Sequence, residues 1–202
     1  MLILVLDSCG SSCGVGVFRD GVSLAQKQEH MERGQDGRLM PMVTAVIEQA
    51  GCRFSDIDRI AVTRGPGSFT GTRVGLAAAR GIGFAAGKPV MGIDRFSIYK
   101  ALHAEIKNLL VVIDSKRAEL FCKFYPASGA AHEACMMTEE QIRQFMSEHP
   151  DTKRVGDIET PNDDILAACA RLAEEANVSS PEYLPRPLYL RAPDVTMAVD
   201  KT

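Results

Sequence analysis

The sequence predicts an α/β protein built from a duplicated lobe with the second copy abbreviated, and three observations carry that prediction. Leu2 to Asp7 is a continuous apolar run that closes on Asp-Ser, and Leu109 to Asp114 repeats the form as LLVVIDS. Each run is followed by a short turn and a second strand-like segment, Cys13 to Phe18 in the first copy and Ala118 to Phe124 in the second. A buried strand, a turn and an alternating strand make a hairpin. Between the copies, helix and strand patterns alternate.

Taken in order, the first hairpin gains a third antiparallel member at Val22 to Gln28. A helix follows from about Met40 to Ala50, where Leu39, Val43, Val46, Ile47 and Ala50 recur at helical spacing and Pro41 is tolerable only in the first turn. Ile60 to Thr63 is a short buried strand, and Gly65-Pro66-Gly67 is a tight turn. Ser68 or Thr70 caps a helix over 70–86, and Val90 to Ile93 is the next strand. After the second hairpin the pattern weakens to helices near Glu139 to Ser147 and Asp163 to Glu175, a strand around Arg154 and a proline-rich tail. Fifteen of the seventeen glycines precede residue 93, so special backbone geometry is concentrated in the first lobe. The division this gives is a first lobe at 1–103 and a reduced second lobe at 104–202.

The run from Arg64 to Gly87, RGPGSFTGTRVGLAAARGIGFAAG, is the most specific stretch. Glycine inside a helix costs about 1 kcal/mol relative to alanine, so its repeated use asks for a reason, either a phosphate held at the helix amides or close packing. The residue after Gly71 is Thr72, which rules out a Walker loop, and no Gly-x-Gly-x-x-Gly with a suitable later acid occurs. The pattern favours a packing surface, from which Arg64, Arg73 and Arg80 could still reach a phosphate or a partner's carboxylate.

A chain of 202 residues buries roughly 70% of its unfolded surface. Its net charge of -3, with scattered basic residues, argues against binding nucleic acid alone through a basic face. MLILVLD is too short an apolar run for a signal peptide or a membrane span, which makes the expected location cytoplasmic and the expected contacts free of membrane. The six cysteines form no Cys-x-x-Cys pair and read as free thiols. The four histidines form no metal-binding pair, so no metal site is expected, and Ser68 lacks the spacing of a nucleophile elbow.

These segments together resemble the TsaB (YeaZ) family of bacterial tRNA threonylcarbamoyladenosine synthesis. The residues that carry the resemblance are Leu4 to Ser8, Leu39 to Val43, the block Arg64 to Arg73 with Gly75, Asp114 with Arg117, and the tail motif Pro187 to Arg191. The resemblance implies duplicated lobes of the actin/Hsp70/sugar-kinase (RNase H-like) type and a non-catalytic chain that activates a partner. That partner is TsaD, which transfers the threonylcarbamoyl group to adenosine 37 of tRNA, with the ATPase TsaE joining the pair. Pairing would use the first two helices, here through Leu39, Met40, Val43, Ile47, Phe69, Thr70, Arg73, Val74, Gly75, Ala78 and Arg80. The same surface could meet a second copy of the chain. Transfer RNA would be met only within the complex.

Kinases of this superfold set an Asp-x-Gly-x-Thr/Ser turn around phosphate in each lobe. Here the first turn reads Asp7-Ser-Cys-Gly-Ser11, with Cys9 in place of glycine, and the second reads Asp114-Ser-Lys-Arg117. No catalytic residue and no cofactor of its own are therefore expected, with ATP and metal assigned to the partners. Asp7, Asp114 and Arg73 are the candidates for any nucleotide contact, and each aspartate also reads as a hairpin cap. Gln35 stands where family members often carry histidine. The alternatives are a small-molecule kinase or ATP-binding protein of the same superfold, and a glycopeptidase, for which neither a metal pair nor a nucleophile-base pair exists.

Overall fold

The computed structural model describes residues 1–160 and 164–190, and its two sheets repeat one strand order. The first half runs β1 (Leu2–Asp7), β2 (Ser12–Arg19), β3 (Val22–His30), α1 (Gln35–Gln49), β4 (Arg59–Thr63), α2 (Phe69–Ala86) and β5 (Val90–Ile93). Its sheet has the order β3-β2-β1-β4-β5, with β1 antiparallel to β2 and parallel to β4. The second half runs α3 (Arg95–Leu102), β6 (Leu109–Ile113), β7 (Glu119–Tyr125), β8 (Cys135–Thr138), α4 (Glu139–Glu148), β9 (Lys153–Gly156) and α5 (Ile165–Glu175). Its order β8-β7-β6-β9, with β6 antiparallel to β7 and parallel to β9, repeats the first sheet without the fifth strand.

Every residue of β1 is buried because both faces of its sheet are covered, the condition under which a strand reads as an unbroken apolar run. Leu2, Leu4 and Leu6 pack with Leu39, Val43, Val46 and Ile47 of α1 and Leu76 and Ala79 of α2. Ile3 and Val5 face the other way, onto Phe96 and Tyr99 of α3, Leu166 and Ala170 of α5, and Leu109 and Val111 of β6. Each such aliphatic side chain contributes about 1.5–3 kcal/mol when fully buried. A third cluster, including Leu110, Val112, Leu120 and Phe124, lies with Ile142 of α4.

One helix crosses between the halves. Although α5 follows the second sheet in the chain, it lies on the first, where the buried Arg59 of β4 donates to the carbonyls of Ala173 and Ala176. A cation at a helix C-terminus satisfies carbonyls that have no helical partner.

Three elements differ from the sequence reading. Helix α1 begins at Gln35 rather than near Met40, which puts Pro41 in the second turn. Proline there removes the bond to the Gly37 carbonyl, but both residues are exposed and water can take that carbonyl, while the buried face holds the helix. Helix α3 has no strong periodicity and is set by Asp94, whose carboxylate accepts from the Ser97 amide at 3.0 Å and the Ser97 hydroxyl at 2.7 Å. Strand β8 is a short edge segment of one exposed and three half-buried residues that alternation alone does not reveal. The expected start of α5 at Asp163 and the tail residue Arg191 lie outside the described residues. Among the described residues, no helix is long and apolar enough to cross a membrane.

Candidate functional site: a closed cleft and an open helical face

The turn after β1 is stitched to the start of α2. Asp7 Oδ1 accepts from the Thr63 hydroxyl at 2.6 Å and the Cys9 amide at 3.2 Å. Ser8 Oγ donates to the Gly71 carbonyl at 2.8 Å, and the Ser68 amide donates to the Cys9 carbonyl at 2.7 Å. The glycines make this approach possible. A Cβ on Gly67 would sit 2.2 Å from the Cys9 carbonyl oxygen, and one on Gly71 only 1.9 Å from that of Ser8. Of the two sequence candidates for the cap, Ser68 takes it, accepting from the Gly71 amide at 3.1 Å. The loop is thus shaped around the chain's own turn. Burial, with the Asp7 charge, pushes the Cys9 thiol up to about 11, so it stays a neutral donor, 3.3 Å from the Thr63 carbonyl.

Between the lobes lies a polar cavity of about 630 Å³ lined by Asp7, Gly10, Ser12, Gln28, Arg95, Tyr99, Asp157 and Asp164 among others. Arg95, which sequence reasoning missed, shares this lining with three aspartates, Asp7, Asp157 and Asp164. The residue as a whole is only 3% exposed, and Nη1 meets Asp157 Oδ2 at 3.1 Å and the Pro66 carbonyl at 3.4 Å. Tyr99 Oη donates to Asp157 Oδ1 at 3.3 Å. A Cβ on Gly10 would come 3.3 Å from Arg95 Nη2, so the guanidinium lies against the first hairpin turn. Burial opposes its charge, but Asp157 and Asp7 outweigh burial and hold its pKa above the ordinary value. Gly156 aims Asp157: at φ +150° it brings β9 so near β6 that a Cβ would meet the Val112 carbonyl at 1.7 Å.

Asp7 and Asp114 do not share this cavity. Asp7 lines it, whereas Asp114 accepts from the Lys116 amide at 2.7 Å and pairs with Lys116 Nζ at 3.0 Å in its own turn. Both aspartates cap hairpin ends. Gln35 is buried as the first residue of α1 and donates to the Met31 carbonyl at 3.3 Å. Among the described residues, no group of three or more His, Cys, Asp or Glu side chains could hold a metal ion.

The tail reaches all three arginines of the small-residue block, Arg73 and Arg80 through their side chains and Arg64 through its main chain. Arg73 stacks on Phe69 at 3.8 Å and donates through Nε to Tyr189 Oη at 2.9 Å. Arg80 donates to the Pro185 carbonyl. The Arg64 carbonyl accepts from the Leu188 amide at 2.8 Å, and its guanidinium lies 4.0 Å from Asp94. A partner or phosphate would have to compete with these contacts.

The outward face of α1 and α2 corrects the sequence-based interface. Leu39, Val43 and Ile47 point into the first core, and Gly75 packs on Ser8, whose Oγ would stand 2.6 Å from an added Cβ. Their burial removes them from any partner's reach. Met40, Phe69, Thr70, Arg73 and Arg80 are exposed, and Val74 and Ala78 are half-buried. The surface has a centre that the sequence reading did not name. Met40, Phe54, Ala78, Gly81, Ile82 and Ala85 line an apolar groove of about 620 Å³, and beside it Phe84 is 92% exposed. The available signal was Phe84 standing among the glycines and alanines at the end of α2.

Two copies of one sheet order around a central cleft, with helices on both faces of the larger sheet, define a protein of the actin, Hsp70 and sugar-kinase class. The family described as TsaD: tRNA N6-adenosine threonylcarbamoyltransferase matches residues 26–157. The chain is 33% identical over 129 residues to the tRNA threonylcarbamoyladenosine biosynthesis protein TsaB of Escherichia coli, covering 62% of this chain and 55% of the relative. With the Haemophilus influenzae protein of the same name it is 30% identical over 124 residues, covering 60% and 52%. The chain spans about half the length of the curated relatives it matches. YeaZ from Pseudomonas aeruginosa has the same fold, with a TM-score of 0.70 at 21% identity over 94% of this chain and 99% of that one. The chain belongs to this family, in its TsaB (YeaZ) branch.

Proposed function

We propose that the chain is a non-catalytic activator subunit in bacterial tRNA threonylcarbamoyladenosine synthesis, pairing with TsaD and through it with TsaE. The observation that carries this reading is the exposed apolar face of α1 and α2, where Phe84 stands in solvent beside the groove lined by Met40, Gly81 and Ala85. A contiguous apolar face of this kind suits a protein-protein contact, and the resemblance to the TsaB (YeaZ) family supports TsaD as its occupant. The remaining expectations follow from this reading: a location in the cytoplasm, no cofactor of its own, ATP and metal on the partners, and tRNA met only in the complex. Self-pairing through the same face is the competing association.

The cleft supports the absence of catalysis. Its first turn presses on α2, and the Arg95 guanidinium lies against that turn, tied to Asp157. The test is threonylcarbamoyl transfer to tRNA by TsaD from the same genome with and without this chain. Transfer that requires both supports the proposal. Undiminished transfer by TsaD alone overturns it, and nucleotide binding by the isolated chain would favour the kinase reading instead.

A further inference from the structure

Cys122 and Cys135 face each other directly across the antiparallel pair of β7 and β8. Residues opposite one another in such a pair point to the same face, with Cβ atoms about 4.5–5.5 Å apart. A disulfide needs about 3.5–4.5 Å. Both cysteines line one cavity of about 410 Å³ beside α4, consistent with a shared face. Cys122 is 1% exposed and its thiol donates to the Leu120 carbonyl at 3.6 Å, whereas Cys135 is exposed on the sheet's edge strand. Strand β8 is four residues long, pairs on one side only and follows an exposed connection at 127–133, so it has room for the small approach a bond requires.

We infer that Cys122 and Cys135 form a reversible cross-strand disulfide when the protein meets a peroxide. In the first step the Cys135 sulfur attacks one peroxide oxygen. An S–O bond forms, the O–O bond breaks, and the departing oxygen leaves as water with the thiol proton. In the second step the Cys122 sulfur attacks the Cys135 sulfur. The S–S bond forms, the S–O bond breaks, and a second water carries away the Cys122 proton. The two sulfurs together lose two electrons and hydrogen peroxide gains them. Burial pushes the Cys122 thiol up to about 12 and raises that of Cys135, so both are protonated at neutral pH and the bond forms slowly. Once formed it ties the edge strand to β7.

Lys123 lies between the two cysteines, so trypsin places them in separate peptides that only a disulfide can hold together. The full chain is incubated with hydrogen peroxide, its remaining thiols are alkylated, and it is digested without reductant for mass spectrometry. The expected product joins the peptide of residues 118–123 to that of 124–143. It disappears with dithiothreitol and is absent from Cys135→Ser, a substitution at an exposed position. Oxidised wild type also melts at a higher temperature than reduced wild type, a difference Cys135→Ser lacks. Cys135 oxidised alone or joined to a second chain, with no linked pair of these peptides, overturns the inference.

Discussion

Arg95 and Asp157 form an ion pair across the cleft, Nη1 to Oδ2 at 3.1 Å, between the start of α3 and the loop after β9. The arginine is almost wholly buried, with its side chain 4% exposed against 17% for the aspartate. Removing the aspartate strands a charge inside the protein. Asp157→Ala is expected to cost about 3–5 kcal/mol, and Arg95→Met, which replaces the buried cation with an apolar side chain, to cost less. Urea denaturation of both variants checks the order; equal losses would mean that the pair acts only by filling space.

Glycines of α2 differ in what surrounds them. Gly71→Ala drives a Cβ onto the Ser8 carbonyl at 1.9 Å, whereas at Gly81 nothing lies within 4 Å. The first substitution is expected to destabilise by about 2 kcal/mol or more, and Gly81→Ala to stabilise by up to about 1 kcal/mol through helix propensity. Thermal melts of the two variants give the comparison.

Glu29 of β3 pairs with Arg38 of α1, whose Nε and Nη2 donate to its carboxylate at 2.6 and 2.5 Å. These bonds lower the Glu29 pKa from 4.5 to about 2. A depressed carboxylate contributes stability that is present above its unfolded pKa and is lost as pH falls through the folded one. A small loss of stability is therefore expected from pH 4.5 down to about 2, and Glu29→Gln should lack that component. Urea midpoints at pH 7 and pH 3 for both proteins measure it.

The tail is held on α2 by Tyr189, its ring 5.1 Å from Phe69 and its hydroxyl on Arg73. Tyr189→Ala and Arg73→Ala should each cost about 0.5–1 kcal/mol, and the double variant less than their sum because the two share one contact. A double-mutant cycle by chemical denaturation reads this directly, and strict additivity would mean the residues act independently.

The duplication was legible because buried strands repeat as apolar runs ending in Asp-Ser, and the doubled sheet order follows from that repeat. Helix α2 and its Ser68 cap were readable from local turn chemistry. Its inward glycines were read for the wrong neighbour, since periodicity marks a packing face without saying whether that face belongs to the chain or to a partner. Gly75 meets Ser8 of the same chain. Arg95 and Asp157 were invisible for a related reason: they lie sixty-two positions apart, and only the closure of the two lobes brings them together. The return of residues 184–190 to α2 is likewise a tertiary event that the proline-rich tail does not announce.

The central claim is that the α1–α2 face receives TsaD, and Gly81→Arg tests it most directly because it fills the groove without touching the core. The measurement is calorimetric titration of TsaD with wild type and with the variant, both first shown to melt alike. Loss of binding by at least tenfold in the variant, with a parallel loss of threonylcarbamoyl transfer, is the predicted result. Binding and transfer equal to wild type would contradict the placement of the partner on this face.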